Sequence, residues 1–140
     1  MEQILVLIKP DGVANGHSGA ILHRLEATGA RLVAARMLKI SRETAEKHYD
    51  VHRQRPFFNS VVEYITSGPS IAAVFEGQDV ISTVRTAMGA TDPAKAEPGT
   101  IRKDFAESIE RNAVHGSDSP ETAAYEIPLY FRPEEIYSGN

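Results

Sequence analysis

One histidine in this 140-residue chain is set apart by its neighbours. His115 lies within Asn112-Ala113-Val114-His115-Gly116-Ser117-Asp118-Ser119, between a short apolar pair and a glycine-led polar turn. An imidazole at the end of a strand, followed by a residue free to take positive φ, is held on rigid backbone and open to a ligand, which is the display a nucleophile needs. A free imidazole titrates near pH ~6.5, so at cellular pH it is largely neutral and needs little activation. The helix that follows is marked by Ser119 as N-cap, Pro120 at the first helical position and Glu121 in the first turn. Further along it Glu126 comes close enough to orient the ring.

The elements that must position these groups follow from apolar periodicity and turn signals. Ile4 to Ile8 reads as a strand buried on both faces, closed by a turn at Lys9-Pro10-Asp11-Gly12. From His17 to Thr28 an amphipathic helix places Ile21, Leu22 and Leu25 on one side, and Gly29 stops it. A strand from Arg31 to Ile40 leads to Ser41 as N-cap of a short helix, Glu43 to Tyr49. Arg55-Pro56-Phe57-Phe58 opens a helix with Val61, Val62 and Ile65 as its stripe, ended by Gly68-Pro69. Ile71 to Phe75 is a third strand, Asp79 to Met88 a helix, and Gly89 to Gly99 a long loop of the kind that is functional or mobile in compact domains. Thr100 caps a short helical turn before a last strand at Ala113 to His115. This order is β-α-β, a helical insertion, then β-α-β with a closing helix, which predicts a ferredoxin-like split β-α-β sandwich with a four-stranded antiparallel sheet and helices on one face. The second face of the first strand then needs cover, and a homo-oligomer is the simplest source.

Composition bounds the function. At this length the chain is expected to be a single domain, residues 1–140, with no linker or repeat, and its 41% hydrophobic content can form a core without staples. Cysteine is absent, which removes thiol catalysis and fits a reducing cytoplasm. The apolar run Ile4 to Ile8 is too short for a signal peptide or membrane span, so the expectation is a soluble, cytoplasmic protein with no membrane partner. A net charge of −4 gives no support for nucleic acid. Yet Lys9, Arg85, Arg102, Lys103 and Arg111 are distributed as a cationic pocket for a small anion would require. No Walker sequence occurs, and Gly12, Gly16 and Gly19 do not match the dinucleotide fingerprint, so any nucleotide would have to be held by side chains.

Five blocks in register carry a resemblance. Lys9-Pro10-Asp11-Gly12-Val13, Arg55-Pro56-Phe57-Phe58, Ser67-Gly68-Pro69, Pro98-Gly99-Thr100-Ile101-Arg102 and Asn112 to Ser119 together are similar to the nucleoside diphosphate kinase family, in order and spacing over nearly the whole chain. The resemblance implies a ping-pong enzyme that moves the γ-phosphoryl group of a nucleoside triphosphate to its own histidine and then to a nucleoside diphosphate. His115 matches the nucleophile and Glu126 the glutamate that fixes its tautomer. Ser117 matches the neighbouring serine, although alone it reads equally as a turn residue. Arg85, Thr91 and Arg102 match the phosphate contacts, Lys9 the lysine that meets the terminal phosphate and sugar hydroxyl, and Asn112 a ribose contact.

The same resemblance makes Tyr49 a neighbour of the histidine, where otherwise it could cap the short helix. Phe57 matches the aromatic on which the base stacks, with Val61 and Ile109 lining that slot, although alone these last two read as core. Stacking on a π-face reads every base alike, so broad base tolerance follows. Mg²⁺ is implied, held mainly through the nucleotide phosphates, with no protein ligand. His48 and His52 stand four apart, but Tyr49 occupies the position where a zincin motif needs glutamate, so they read as surface or helix-end groups. Val51 and Ala20 depart from the acidic residues common at those places in the family. The rival reading is a catalytically silent nucleotide-binding regulatory module; the joint presence of His115 and Glu126 argues against it.

Overall fold

A computed structural model describes residues 1–139. Four strands form one sheet in the order β2-β3-β1-β4, with β1 Glu2–Ile8, β2 Arg31–Lys39, β3 Pro69–Gly77 and β4 Val114–Gly116. Every neighbouring pair is antiparallel, as a split β-α-β order requires. The helices are α1 Pro10–Ala14, α2 Ser18–Glu26, α3 Arg42–His48, α4 Phe58–Ile65, α5 Val80–Met88, α6 Ile101–Phe105 and α7 Pro120–Tyr130. No helix among the described residues is long and apolar enough to cross a membrane.

β1 is the spine. Ile4, Leu5, Val6, Leu7 and Ile8 are all fully buried, the outcome expected of an uninterrupted apolar strand. Their cover comes from within the chain, because helices lie over both faces of the sheet. A Cβ on Gly12 would touch Ile8 and Ile21 of α2, and one on Gly116 would touch Ile4 and Met88 of α5, so α2 and α5 pack on the Ile4, Val6 and Ile8 side. Side chains alternate along a strand, so His115 and Leu7 face the opposite side, where α7 lies with Glu126. A partner copy is therefore not needed to bury β1, which corrects the inference drawn from that strand. The exposed stretch of the sheet is instead Ala35, Arg36 and Met37 on the edge strand β2.

Three local expectations change. Lys9-Pro10-Asp11-Gly12 is not a plain turn: Lys9 is extended and Pro10 starts α1, where its fixed φ is favourable and its missing N–H is no loss. The loop from Gly89 to Gly99 contains a single 3₁₀ turn at Pro93–Lys95, capped by Asp92, whose carboxylate accepts from the Ala94 amide at 3.0 Å. The last strand begins at Val114, because Ala113 has φ +72° and the Val114 amide donates to the Asn112 carbonyl at 2.8 Å, closing a γ-turn of the rare positive-φ kind. Positive φ therefore falls before the histidine rather than after it. Gly116 lies in the strand and is needed for space, since a Cβ there would sit 2.8 Å from Met88 Sδ.

Candidate active site

His115 stands on β4 opposite Leu7, with its side chain 21% exposed. Its Nε2 is 3.0 Å from Glu126 Oε1 and 3.2 Å from Nε2 of His48. Glu126 is aimed by a firmly started helix: Ser119 Oγ accepts from the Thr122 amide at 3.1 Å, and Thr122 Oγ1 accepts from the Ser119 amide at 2.9 Å. Fully buried Ser117 donates to Glu126 Oε1 at 2.8 Å and accepts from the Leu5 amide at 3.1 Å, which ties the carboxylate to β1.

The second imidazole corrects the sequence reading. His48 and His52 do not pair: His52 sits in a 3₁₀ turn with its ring centroid 5.4 Å from that of Phe57, while His48 turns inward from the end of α3. Its side chain is 1% exposed, and Nδ1 is 2.8 Å from Tyr130 Oη. Burial first, then the charges of His115 and Lys9, hold its pKa well below the ordinary imidazole range, so His48 is neutral. Burial and the Glu126 charge likewise push the Tyr49 hydroxyl upward, leaving it a neutral group whose ring centroid is 4.6 Å from that of His48. The donors and acceptors balance when His48 carries its proton on Nδ1, toward Tyr130, and His115 carries its own on Nε2, shared between Glu126 and His48. His115 Nδ1 is then left with a lone pair.

Cations surround this strand. The Lys9 ammonium donates to Asn112 Oδ1 at 2.9 Å, and Asn112 Nδ2 donates to the Thr91 carbonyl at 3.3 Å. Burial, and secondly the Arg102 guanidinium, lower the Lys9 pKa to about 8, against the opposing pull of Asp11. Arg102 donates to the carbonyls of Gly89 and Val114, each at 2.9 Å, while its buried Nε has no partner. Burial and the Arg85 charge bring its pKa down to about 10, which keeps it protonated at neutral pH. Arg85, exposed, donates to the Gly116 carbonyl at 2.8 Å. Both arginines thus grip backbone next to His115 and retain further N–H groups for an anion.

His115, Glu126 and Ser117 form one connected set, and Lys9, Asn112 and the Thr91 backbone another. The Thr91 side chain is exposed on the 89–99 loop. Phe57 and Ile109 are not core: they are 47% and 56% exposed, while Val61 is half-buried on α4 beside fully buried Val62. Val51 is exposed on a 3₁₀ turn and Ala20 on α2. A recess of about 880 Å³ borders Arg85 and Gly89 but includes neither His115 nor Lys9, so it is not where this chemistry sits.

Five contributors were missed in the sequence, and three of them, His48, Tyr130 and Tyr64, had no local signal. His48 and Tyr130 reach His115 only through the fold. Asp11 accepts from the Ala113 amide at 3.0 Å and so secures the strained turn; Tyr64 Oη accepts from the Asp11 amide at 2.9 Å and donates to its carboxylate. Gly12 lies so close that a Cβ would be 3.0 Å from the Ala113 carbonyl oxygen. Asp11 and Gly12 belong to the Lys-Pro-Asp-Gly block, which could have drawn attention to them.

An imidazole with one nitrogen engaged and the other free, on a strand whose carbonyls two arginines grip, in a ferredoxin-like sandwich, is the arrangement of a phosphotransferase. The chain belongs to the nucleoside diphosphate kinase family, whose model, described as "Nucleoside diphosphate kinase", matches residues 2–136. Among similar proteins are the nucleoside diphosphate kinases of Dehalococcoides mccartyi, 54% identical over 97% of this chain and 96% of that one, and of Thiobacillus denitrificans, 53% identical over 99% and 98%. Among solved structures, the Aquifex aeolicus nucleoside diphosphate kinase superposes with TM-score 0.94 at 43% identity over 96% of this chain and 98% of that one. The Halobacterium salinarum enzyme in complex with CDP gives 0.95 at 42% identity over 99% and 93%.

Proposed function

We propose that residues 1–140 act as one nucleoside diphosphate kinase domain in which His115 Nδ1 is the nucleophile. The Nδ1 lone pair attacks the γ-phosphorus of a nucleoside triphosphate, the bond from that phosphorus to the β–γ bridging oxygen breaks, and the diphosphate leaves with the electron pair. In the return half the terminal oxygen of an acceptor diphosphate attacks the phosphorus, and the N–P bond returns its pair to Nδ1. Glu126, aimed by Ser117, keeps the proton on Nε2 and stabilises the positive charge that the ring gains. Lys9, Arg85 and Arg102 grip the phosphates, Thr91 and Asn112 contact phosphate and ribose, and Tyr49 packs beside the histidines. Phe57, with Val61 and Ile109, offers the base an apolar stack, and this supports tolerance of any base. The observation that carries the reading is the engagement of Nε2 by Glu126, which leaves Nδ1 free.

The substrates are nucleoside tri- and diphosphates. Mg²⁺ fits as a phosphate-borne ion, because the groups that meet at His115 are two imidazole nitrogens and one carboxylate rather than the oxygen set Mg²⁺ prefers, and Asp11 is held by Tyr64 and the Ala113 amide. Bound with the nucleotide, it neutralises phosphate charge during transfer. The absence of cysteine supports a cytoplasmic location, and the exposed edge of β2 with Met37 supports a homo-oligomer. The test uses γ-labelled ATP. The protein takes up label that is lost in acid, survives alkali and passes to an added diphosphate, whereas His115→Ala takes up none; equal labelling of the variant overturns the assignment.

A further inference from the structure

The two imidazoles and one carboxylate at the heart of the site are arranged as a metal chelate. His48 Nε2 and His115 Nε2 are 3.2 Å apart, His115 Nε2 is 3.0 Å from Glu126 Oε1, and His48 Nε2 is 3.4 Å from Glu126 Oε2. Tetrahedral zinc with bonds of about 2.0–2.1 Å has donor-to-donor edges of roughly 3.3–3.4 Å; one ligand atom from each of the three residues lies within 4.8 Å of the others, and a rotation of the Glu126 carboxylate brings a single oxygen toward both nitrogens. Two nitrogen donors with one carboxylate is also a set that selects a borderline ion over Mg²⁺.

Each ligand is steadied from behind. Tyr130 Oη lies 2.8 Å from His48 Nδ1, which leaves Nε2 as the metal-facing nitrogen, and Ser117 holds Glu126 at 2.8 Å. His48 and Glu126 are almost entirely shielded from solvent, while partly exposed His115 provides the way in. The rings meet at 71° with centroids 4.6 Å apart, edge to face rather than stacked.

We propose that His48, His115 and Glu126 form a three-ligand site for Zn²⁺ or a similar borderline divalent ion, with water as the fourth ligand, and that its occupation silences the enzyme. Binding replaces the proton on His115 Nε2, which passes to solvent; His48 Nε2 has none to lose. A metal on Nε2 draws electron density from the ring and weakens Nδ1 as a nucleophile. Metal capture is independent of the catalytic reading of His115; the silencing rests on it.

Co²⁺ is the probe, added to the nucleotide-free protein. The expected result is one four-coordinate Co²⁺ per chain, seen as intense visible absorption that Zn²⁺ bleaches; an exposed histidine such as His23 does not give that spectrum. His48→Asn and His115→Asn, each checked for folding by circular dichroism, lower the affinity by about 100-fold or more, and Tyr130→Phe lowers it by about 10-fold. Zn²⁺-loaded protein freed of excess metal takes up no label from γ-labelled ATP, and a chelator restores uptake. The site is refuted if wild type gives no four-coordinate spectrum or if that spectrum survives in His48→Asn. Silencing is refuted if the loaded protein is labelled at the metal-free rate. Failure of the kinase reading appears separately, as no labelling of metal-free protein.

Discussion

Lys9→Met will make the protein more stable and less active at neutral pH. The ammonium is held where burial and the Arg102 charge lower its pKa from 10.5 to about 8, so at ~1.36 kcal/mol per pKa unit the folded state bears up to about 3 kcal/mol of penalty for keeping it charged. Methionine fills similar space without the charge, but Asn112 Oδ1 loses a donor, a loss of about 1 kcal/mol. The net gain is about 2 kcal/mol at pH 7. Its pH dependence has a definite sign. Below pH 8 the lysine is protonated in both states and the penalty is complete; between pH 8 and 10.5 the unfolded chain keeps a proton that the folded one releases, so wild-type stability rises with pH. The gap between variant and wild type must therefore close across that window. Urea unfolding at pH 7 and pH 10, at matched protein concentration, measures it. Loss of one charged phosphate contact meanwhile lowers kcat/KM on the order of 100-fold. A variant less stable at pH 7, or a stability gap of equal size at pH 10, would show that the ammonium is not strained by its surroundings.

Ser117→Ala removes the donor to Glu126 and leaves the Leu5 amide without its acceptor, so unfolding free energy falls by about 1–3 kcal/mol and kcat falls with little change in KM. Tyr64→Phe deprives Asp11 of both hydroxyl contacts and, through it, loosens the Ala113 turn; denaturation should register a loss of about 1–2 kcal/mol, accompanied by slower phosphorylation of His115. Phe57→Ala removes an exposed stacking face, so KM rises by a similar factor for purine and pyrimidine nucleotides, corresponding to about 1–3 kcal/mol; an effect confined to one base would refute the stacking role.

Local pattern revealed those parts of the fold that local physics decides. The unbroken apolar run of β1 and the Ser119-Pro120 start of α7 are visible in sequence because burial and capping depend on adjacent residues. The pairing of His115 with Glu126 was also legible, since both lie in one strand-to-helix unit. His48 was not: it enters across 67 residues, and its spacing from His52 on one side suggested a surface pair. Tyr130 and Tyr64 act through hydroxyls that meet partners 82 and 53 residues away, distances at which periodicity carries no information. The position of the strained residue was misread because glycine is the default for positive φ, whereas here the Asp11 carboxylate and the Lys9 amide pin Ala113 into that region from both sides. Gly116 is glycine for want of room above Met88.

β4 is only three residues long, and the guanidiniums of Arg85 and Arg102 clasp its carbonyls at Gly116 and Val114. The groups proposed to hold the substrate are thus the same groups that anchor the nucleophile. Affinity and aim cannot drift separately over evolutionary time: a change at either arginine alters both at once, and an improvement in one is tested immediately against the other.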